Sequence, residues 1–164
     1  MYKPYALIYM KPLDRLKALH LEHNKKKHPS FPDQYRVVPK YTDKTANGLT
    51  KCVVDFLNYS GHMASRVNNM GTWRADESNV KGGFYTQSNQ MKGIADITSC
   101  INVKITGIDI GISVWWEVKI GADRQSEDQK EFAERVRSSG GHYYVIKSFD
   151  DFLNHYNKLI LQYS

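Results

Sequence analysis

The chain has 164 residues, 41% of them hydrophobic, 12% aromatic and 24% charged, a composition that excludes collagen-like, wholly disordered and disulfide-scaffold proteins. No run reaches the ~20 apolar residues of a membrane span, and the Ala6–Met10 patch, broken by Lys11-Pro12, is too short for the apolar region of a signal peptide. The net charge of +6 is uneven: residues 1–51 hold 11 Lys and Arg against 4 Asp and Glu, whereas residues 52–164 hold 12 against 13.

Residues 1–46 contain all five prolines, Pro4, Pro12, Pro29, Pro32 and Pro39, and read as an irregular basic arm. Within it, Leu13–Glu22 has the spacing of a short helix and Asn24–Lys44 reads as loop or extended chain. Lys25-Lys26-Lys27 is the densest basic cluster. Clustered cations on a near-neutral body point to a polyanionic partner through phosphate contacts and counterion release, although the same run also suits a solvated tail. Cys52 and Cys100 form no CxxC pair and fit a reducing, cytoplasmic compartment.

Residues 47–164 read as a compact α/β domain. Leu49, Val53, Val54, Phe56 and Leu57 recur at helical spacing, and Ser60-Gly61 ends that helix. His62–Asn68 alternates like a strand. Residues 69–92, polar and holding Gly71, Gly82 and Gly83, read as a long loop. Gly93–Cys100, Val103–Thr106 and Val114–Ile120 read as strands. Ser126 is a helix N-cap with Gln129 in the capping-box position, and Gly140-Gly141 stops that helix. A short buried strand, Tyr143–Ile146, and a final helix from Ser148 to Leu161 complete the chain.

The residues that carry chemistry are Asp96 and, 21 positions later, Glu117-Val118-Lys119. Strand alternation puts Glu117 and Lys119 on one face and Val118 on the other. Flanked by Val114-Trp115-Trp116 and Ile120, this strand is expected to be largely buried, where charges are costly unless paired or metal-bound. With Asp96 on a neighbouring strand, two carboxylates converge beside an ammonium. Such a pair suits a hard cation such as Mg²⁺. A solvated Glu–Lys pair on an edge strand is the competing reading. His20, His23 and His28 lie near one another, but the cysteines that would complete a zinc site are far away in sequence.

The ordered set Gly93-Ile94-Ala95-Asp96, Glu117-Val118-Lys119-Ile120-Gly121, Asp123-Arg124-Gln125-Ser126-Glu127-Asp128-Gln129 and Gly140-Gly141 resembles the PD-(D/E)xK nuclease superfamily. Within it, the set is most similar to the small, stand-alone VRR-NUC domains of bacteriophages. The resemblance spans about 47–152. It implies a restriction-endonuclease-like core, a mixed β-sheet flanked by helices in αβββαβ order. It also implies a Mg²⁺- or Mn²⁺-dependent endonuclease that hydrolyses DNA phosphodiesters. Asp96 and Glu117 would be metal ligands with the Val118 backbone carbonyl as a third, Lys119 the catalytic lysine, and Gln129 the residue that sets the lysine or the water. The family carries a glutamate on its first core helix; here only Asp55 stands in that helix, either as a further metal-site group or as a solvated residue. The superfamily's proline is replaced by Ala95.

Relatives of this kind act on branched DNA such as Holliday junctions and pair as homodimers, which for a phage protein would occur in the host cytoplasm. Arg66, Arg74, Lys81, Lys92 and Arg124 surround the candidate site in sequence and could contact phosphates, with Lys25, Lys26 and Lys27 as a second basic group. Two other readings stand beside the first: a DNA-binding module that has lost catalysis, and an RNA-directed metal nuclease.

Overall fold

The computed structural model describes residues 10–67, 72–75, 82–86 and 91–163. Its elements in chain order are α1 (Pro12–Lys27), a single 3₁₀ turn (Asp33–Tyr35), α2 (Ala46–Tyr59), β1 (Met63–Arg66), β2 (Thr72–Ala75), β3 (Gly83–Thr86), β4 (Ile97–Ile105), β5 (Ile108–Val118), α3 (Glu127–Ser138), β6 (His142–Ile146) and α4 (Phe149–Gln162). The main sheet has the order β1-β4-β5-β6. The β1–β4 and β4–β5 pairs are antiparallel and β5–β6 is parallel, so the sheet is mixed. β2 and β3 form a separate antiparallel pair inside the segment expected to be loop.

Alternation along β5 divides the molecule into layers. Val114, Trp116 and Val118 join Ile97, Ile101 and Ile146 in a core with α1, α2 and α4. Trp115 and Tyr143 face the opposite way, packing with Ala95, Phe132 and Ala133 under α3. The larger core is rich in aromatics: Phe56 meets Phe149, Phe152 and Tyr156 edge-on, and Trp116 stacks on Tyr144 while meeting Phe152 edge-on. The one hydrogen-bonding group of the buried Trp116 side chain, its indole N–H, donates to Ser99 Oγ at 2.9 Å, and that hydroxyl donates in turn to the Val114 carbonyl. No polar atom of this pair is left without a partner in the sheet interior.

The segment expected to be an irregular arm is, from Pro12 to Lys27, a helix docked on the core. Pro12 sits in the first turn of α1, where a missing N–H costs nothing, and the helix runs to Lys27. Its Leu16 is fully buried in the main core, with Leu13 and Leu19 packed against it. Arg36 then holds the chain that leaves the helix. Its side chain is 2% exposed, and its guanidinium donates to the carbonyls of Asn24, His28 and Phe31, to the Asn24 side chain and to Asp33. One planar fork thus ties the last turn of the helix to the chain that leaves it, adding to the backbone N–H groups that the Asn24 and His28 carbonyls already accept. Asp43 reaches the other end of the chain, accepting the Phe149 N–H at the start of α4 at 3.1 Å. Lys25, Lys26 and Lys27 occupy the last turn of α1, where cations suit the helix dipole, and Lys25 pairs with Asp33 at 2.7 Å. His20 and His23 pack on Tyr59 rather than gathering around a common centre.

Two strands expected over residues 93–106 are one. Residue 102 does not interrupt β4, because the Asn102 N–H donates to His62 Nδ1. The reversal comes later, at Thr106-Gly107, both with positive φ (48° and 86°). This is the two-residue hairpin geometry that matches strand twist. No helix among the described residues is long and apolar enough to cross a membrane.

Two predictions follow from this packing. Leu16→Ala should lower unfolding free energy by about 2–5 kcal/mol in urea titration, as for a fully buried leucine; a change below about 0.5 kcal/mol would mean that α1 is a detachable arm. His62 is the second case. Because Nδ1 accepts the Asn102 N–H, Nε2 carries the proton and donates to Tyr156 at 2.9 Å. Burial holds its pKa below the ordinary histidine value. The unfolded chain therefore takes up the proton first, and stability present above about pH 6.5 is lost as pH falls, by at most ~1.4 kcal/mol per pH unit for this group. His62→Gln should flatten the slope measured between about pH 7.5 and 5.5; an unaltered slope would exclude His62 as its source.

Candidate functional site

Asp96 is the residue immediately before β4. The β4–β5 register pairs Ile97 with Trp116, so Asp96 comes alongside Glu117. Its backbone carbonyl accepts the Val67 N–H at 2.8 Å, and its Oδ2 accepts the Val118 N–H at 2.9 Å. The approach of this loop to α3 requires Gly93. Its φ is +70°, and a Cβ there would lie 2.1 Å from the Asp128 carbonyl oxygen. The Gly-x-x-Asp spacing thus seats the Asp96 loop directly on the first turn of α3.

Glu117 and Lys119 lie on the α3 side of β5, with Val118 in the main core on the other. Glu117 is 1% exposed and Lys119 is 6% exposed. Their charged ends are 3.0 Å apart, Lys119 Nζ to Glu117 Oε1. Gln129 Nε2 also donates to Oε1, and the Tyr143 hydroxyl donates to Oε2 at 3.2 Å. Among the described residues, then, three donors from three elements meet one buried carboxylate.

Each of those donors is backed by the loop between β5 and α3. Asp123 Oδ2 stands 3.5 Å from Lys119 Nζ. Gln125 Nε2 donates to the Tyr143 oxygen at 3.4 Å. Ser126 closes a capping box with Gln129: the Ser126 N–H donates to Gln129 Oε1 at 2.9 Å while Ser126 Oγ accepts the Gln129 N–H. With its oxygen so occupied, the Gln129 amide has its NH₂ free to point at Glu117. The run Asp123-x-Gln125-Ser126-x-x-Gln129 therefore has a physical content, which is to orient the three groups around Glu117.

Burial pushes the Glu117 carboxyl above its ordinary pKa, and the nearby Asp96 charge adds to this, against the opposing pull of Lys119 and Tyr143. For Lys119 burial acts downward, but hydrogen bonding and attraction to Glu117, with a contribution from Asp123, outweigh it and leave the ammonium's pKa raised. Tyr143 is pushed up by burial and by the Glu117 charge, so its hydroxyl keeps its proton and stays a donor.

The structure thus brings together Asp96, Glu117, Lys119 and Gln129, with the Val118 peptide between the two carboxylate positions. It does not bring Asp55. That residue lies on α2, in the layer on the other face of the sheet, where it accepts from Tyr41 at 2.9 Å and pairs with Lys51 at 2.8 Å. Arg66 is exposed at the end of β1, in register with Ile97 and so next to Asp96. Lys92 is exposed on the Asp96 loop and Arg124 on the loop before α3. Arg74 falls on β2, and its side chain, like all of Lys81, lies outside the described residues. No described contact joins Lys25, Lys26 or Lys27 to this cluster; they belong to the far end of α1.

Sequence reasoning did not single out Tyr143 or the role of Gln125. The available signal was the pair Tyr143-Tyr144 in a buried strand beside β5: alternation sends one ring to each face, and one must therefore reach the face of Glu117.

Lys119→Ala should cost about 3–5 kcal/mol at neutral pH, because it strands a buried carboxylate. The sign of the pH dependence follows from Glu117. A buried carboxyl with a raised pKa is destabilising when ionised, and that cost is relieved as pH falls through its folded-state value. The deficit relative to the unsubstituted chain should therefore shrink between about pH 8 and about pH 5 in urea unfolding; a constant deficit would exclude Glu117 as the stranded charge.

Comparison of the chain with protein-family models, with curated proteins and with solved structures found no match.

Proposed function

We propose that this chain is a divalent-metal-dependent endonuclease of the VRR-NUC kind, with a restriction-endonuclease-like core, that hydrolyses phosphodiester bonds in DNA. The observation that carries this reading is the meeting of Asp96, Glu117, Lys119 and Gln129, from three separate stretches of sequence, in one polar cluster. Chance pairing of a surface Glu-x-Lys is a poor explanation for it, since both side chains are buried and the carboxylate is served by α3 as well.

The donor chemistry fits Mg²⁺ or Mn²⁺. Asp96 and Glu117 are neighbouring carboxylates, hard oxygen donors of the kind that hold such an ion together with waters and phosphate, while Asp123 pairs with Lys119; among the described residues no group of three metal-ligating side chains is gathered. Asp96 and Glu117 would hold the ion, with the Val118 carbonyl as a further oxygen. A bound ion supplies Lewis acidity toward a phosphoryl oxygen and an activated water. Lys119 supplies positive charge where negative charge develops on the phosphate. Gln129 keeps the Glu117 carboxylate in place through a contact the helix cap has already oriented. Arg66, Lys92 and Arg124 are exposed cations flanking the cluster, suited to phosphate contacts that position the strand. Branched DNA is the substrate class of this reading, and a homodimer would present two sites to a two-fold junction.

A DNA-binding module without catalysis is the second reading. It is favoured by the occupation of Glu117 on both oxygens by protein donors. The deciding experiment is cleavage of labelled four-way junction, flap, single-stranded and duplex DNA, with RNA counterparts, in Mg²⁺, Mn²⁺ or EDTA. The unsubstituted chain should cut in either metal and not in EDTA, and Glu117→Gln and Lys119→Gln should each lose at least ~10²-fold in rate while retaining binding. Binding without cutting in any metal would select the second reading. Preference for the RNA counterparts would move the substrate to RNA, and neither binding nor cutting would overturn both readings.

A further inference from the structure

Glu117 is held by more than the motif residues. A carboxylate has about four lone-pair sites on its two oxygens. Among the described residues, Lys119 and Gln129 occupy those of Oε1, and Tyr143 occupies one of Oε2. The Tyr143 hydroxyl has no rotational choice in this arrangement. It receives the Gln125 amide N–H and directs its own hydrogen to Glu117. Its ring is fixed as well, edge-on to Phe132 with the Arg137 guanidinium over it, and Tyr143 is 4% exposed.

We propose that Tyr143, oriented by Gln125, is a positioning residue for Glu117: it fixes the carboxylate plane so that the remaining acceptor site, on Oε2, is the one presented to a metal ion. The inference rests on the metal-dependent reading above and adds to it a residue outside the Asp, Glu-x-Lys and Gln motif. Tyr143 acts through Glu117 and touches no reacting atom. Outer hydrogen-bond partners of metal ligands commonly contribute 10- to 100-fold in metal affinity, and a shared oxygen is the most direct form of that coupling. The alternative role for this tyrosine is packing alone, through Phe132 and Arg137, which the hydroxyl does not serve.

The test uses the full chain. Mn²⁺ binding is measured by titration calorimetry and by loss of the free-ion electron paramagnetic resonance signal, for the unsubstituted protein, Tyr143→Phe and Gln125→Ala. Tyr143→Phe removes only the hydroxyl, and Gln125→Ala alters a loop side chain outside the core, so one of the two remains informative if the other is poorly folded. Both variants should bind Mn²⁺ about 10-fold more weakly or worse, with Tyr143→Phe showing a fall in kcat and an unchanged KM for DNA. Unsubstituted affinity in both variants would overturn the positioning role while leaving the metal-dependent reading intact. Absence of Mn²⁺ binding by the unsubstituted chain would overturn that reading and this inference with it. Weaker Mn²⁺ binding accompanied by a raised KM and an unchanged kcat would assign Tyr143 to substrate binding and overturn the proposal.

Discussion

The arrangement of the α3 side of the molecule follows from one constraint, a carboxylate at Glu117 that is almost wholly removed from water. An isolated ion at such a position would cost several kcal/mol even after relaxation, so the surrounding chain has to supply compensation from close range. Lys119 supplies charge, and Gln129 and Tyr143 supply directed hydrogen bonds. Those three groups come from the strand itself, the following helix and the parallel neighbour strand. The β5–α3–β6 unit is consequently committed to one mutual orientation by polar contacts as well as by the packing of Phe132 on Trp115 and Tyr143. A fully satisfied polar network specifies geometry more narrowly than apolar packing does, because a missed contact leaves a buried group unpaired.

The opposite face of the sheet carries a different burden. There α1, α2 and α4 bury a largely apolar core built on Leu16, Phe56, Trp116 and Phe152. Dispersion and hydrophobic burial dominate on that side, and they tolerate substitution by graded losses. The two faces meet in the backbone of β5, where successive residues serve opposite purposes: Trp116 and Val118 anchor the strand to the apolar core, and Glu117 and Lys119 project from a strand so held. Asp96 ties the layers together, since its carboxylate takes the N–H of Val118, a core residue, while it stands beside Glu117. The candidate site is thus placed at the end of the longest strand pairing in the sheet, β4 with β5, rather than by loops alone.

The features legible in the sequence were those encoded locally. The α2 stripe, the capping box at Ser126 and Gln129, the Ser148 cap and the same-face relation of Glu117 and Lys119 all depend on residues within a few positions of one another. What escaped depended on distant partners. The extent of α1 and the order of the chain after it rest on Arg36, whose acceptors lie on residues 24–33, and on Asp43, whose partner is more than 100 positions away. The polar residue Asn102 is a poor sign of strand until His62 is known to lie beside it. Asp55 had the right chemistry and the right helix for a role in the site, but α2 packs on the sheet face that Glu117 does not share, and Tyr41 and Lys51 satisfy it there. Tyr143 is the complementary case, a residue of unremarked type made important by the register of a parallel strand.

The satisfied state of Glu117 also bears on how such a site could work. A carboxylate that must accept a cation cannot have every acceptor position filled, nor can it be left bare in a protein interior. The described contacts load Oε1 with two donors and Oε2 with one. Lys119 differs from the other two donors in being charged and in having a second partner. Its ammonium has three donors on a flexible stem and a second counter-charge in Asp123 at 3.5 Å, itself more than half exposed. Moving toward Asp123 would loosen its hold on Glu117 without leaving the lysine unpaired. Gln129 and Tyr143 lack that freedom, because Ser126 and Gln125 hold them. The loop between β5 and α3 thereby holds two of the donors on Glu117 in place and gives the third, Lys119, a second counter-charge.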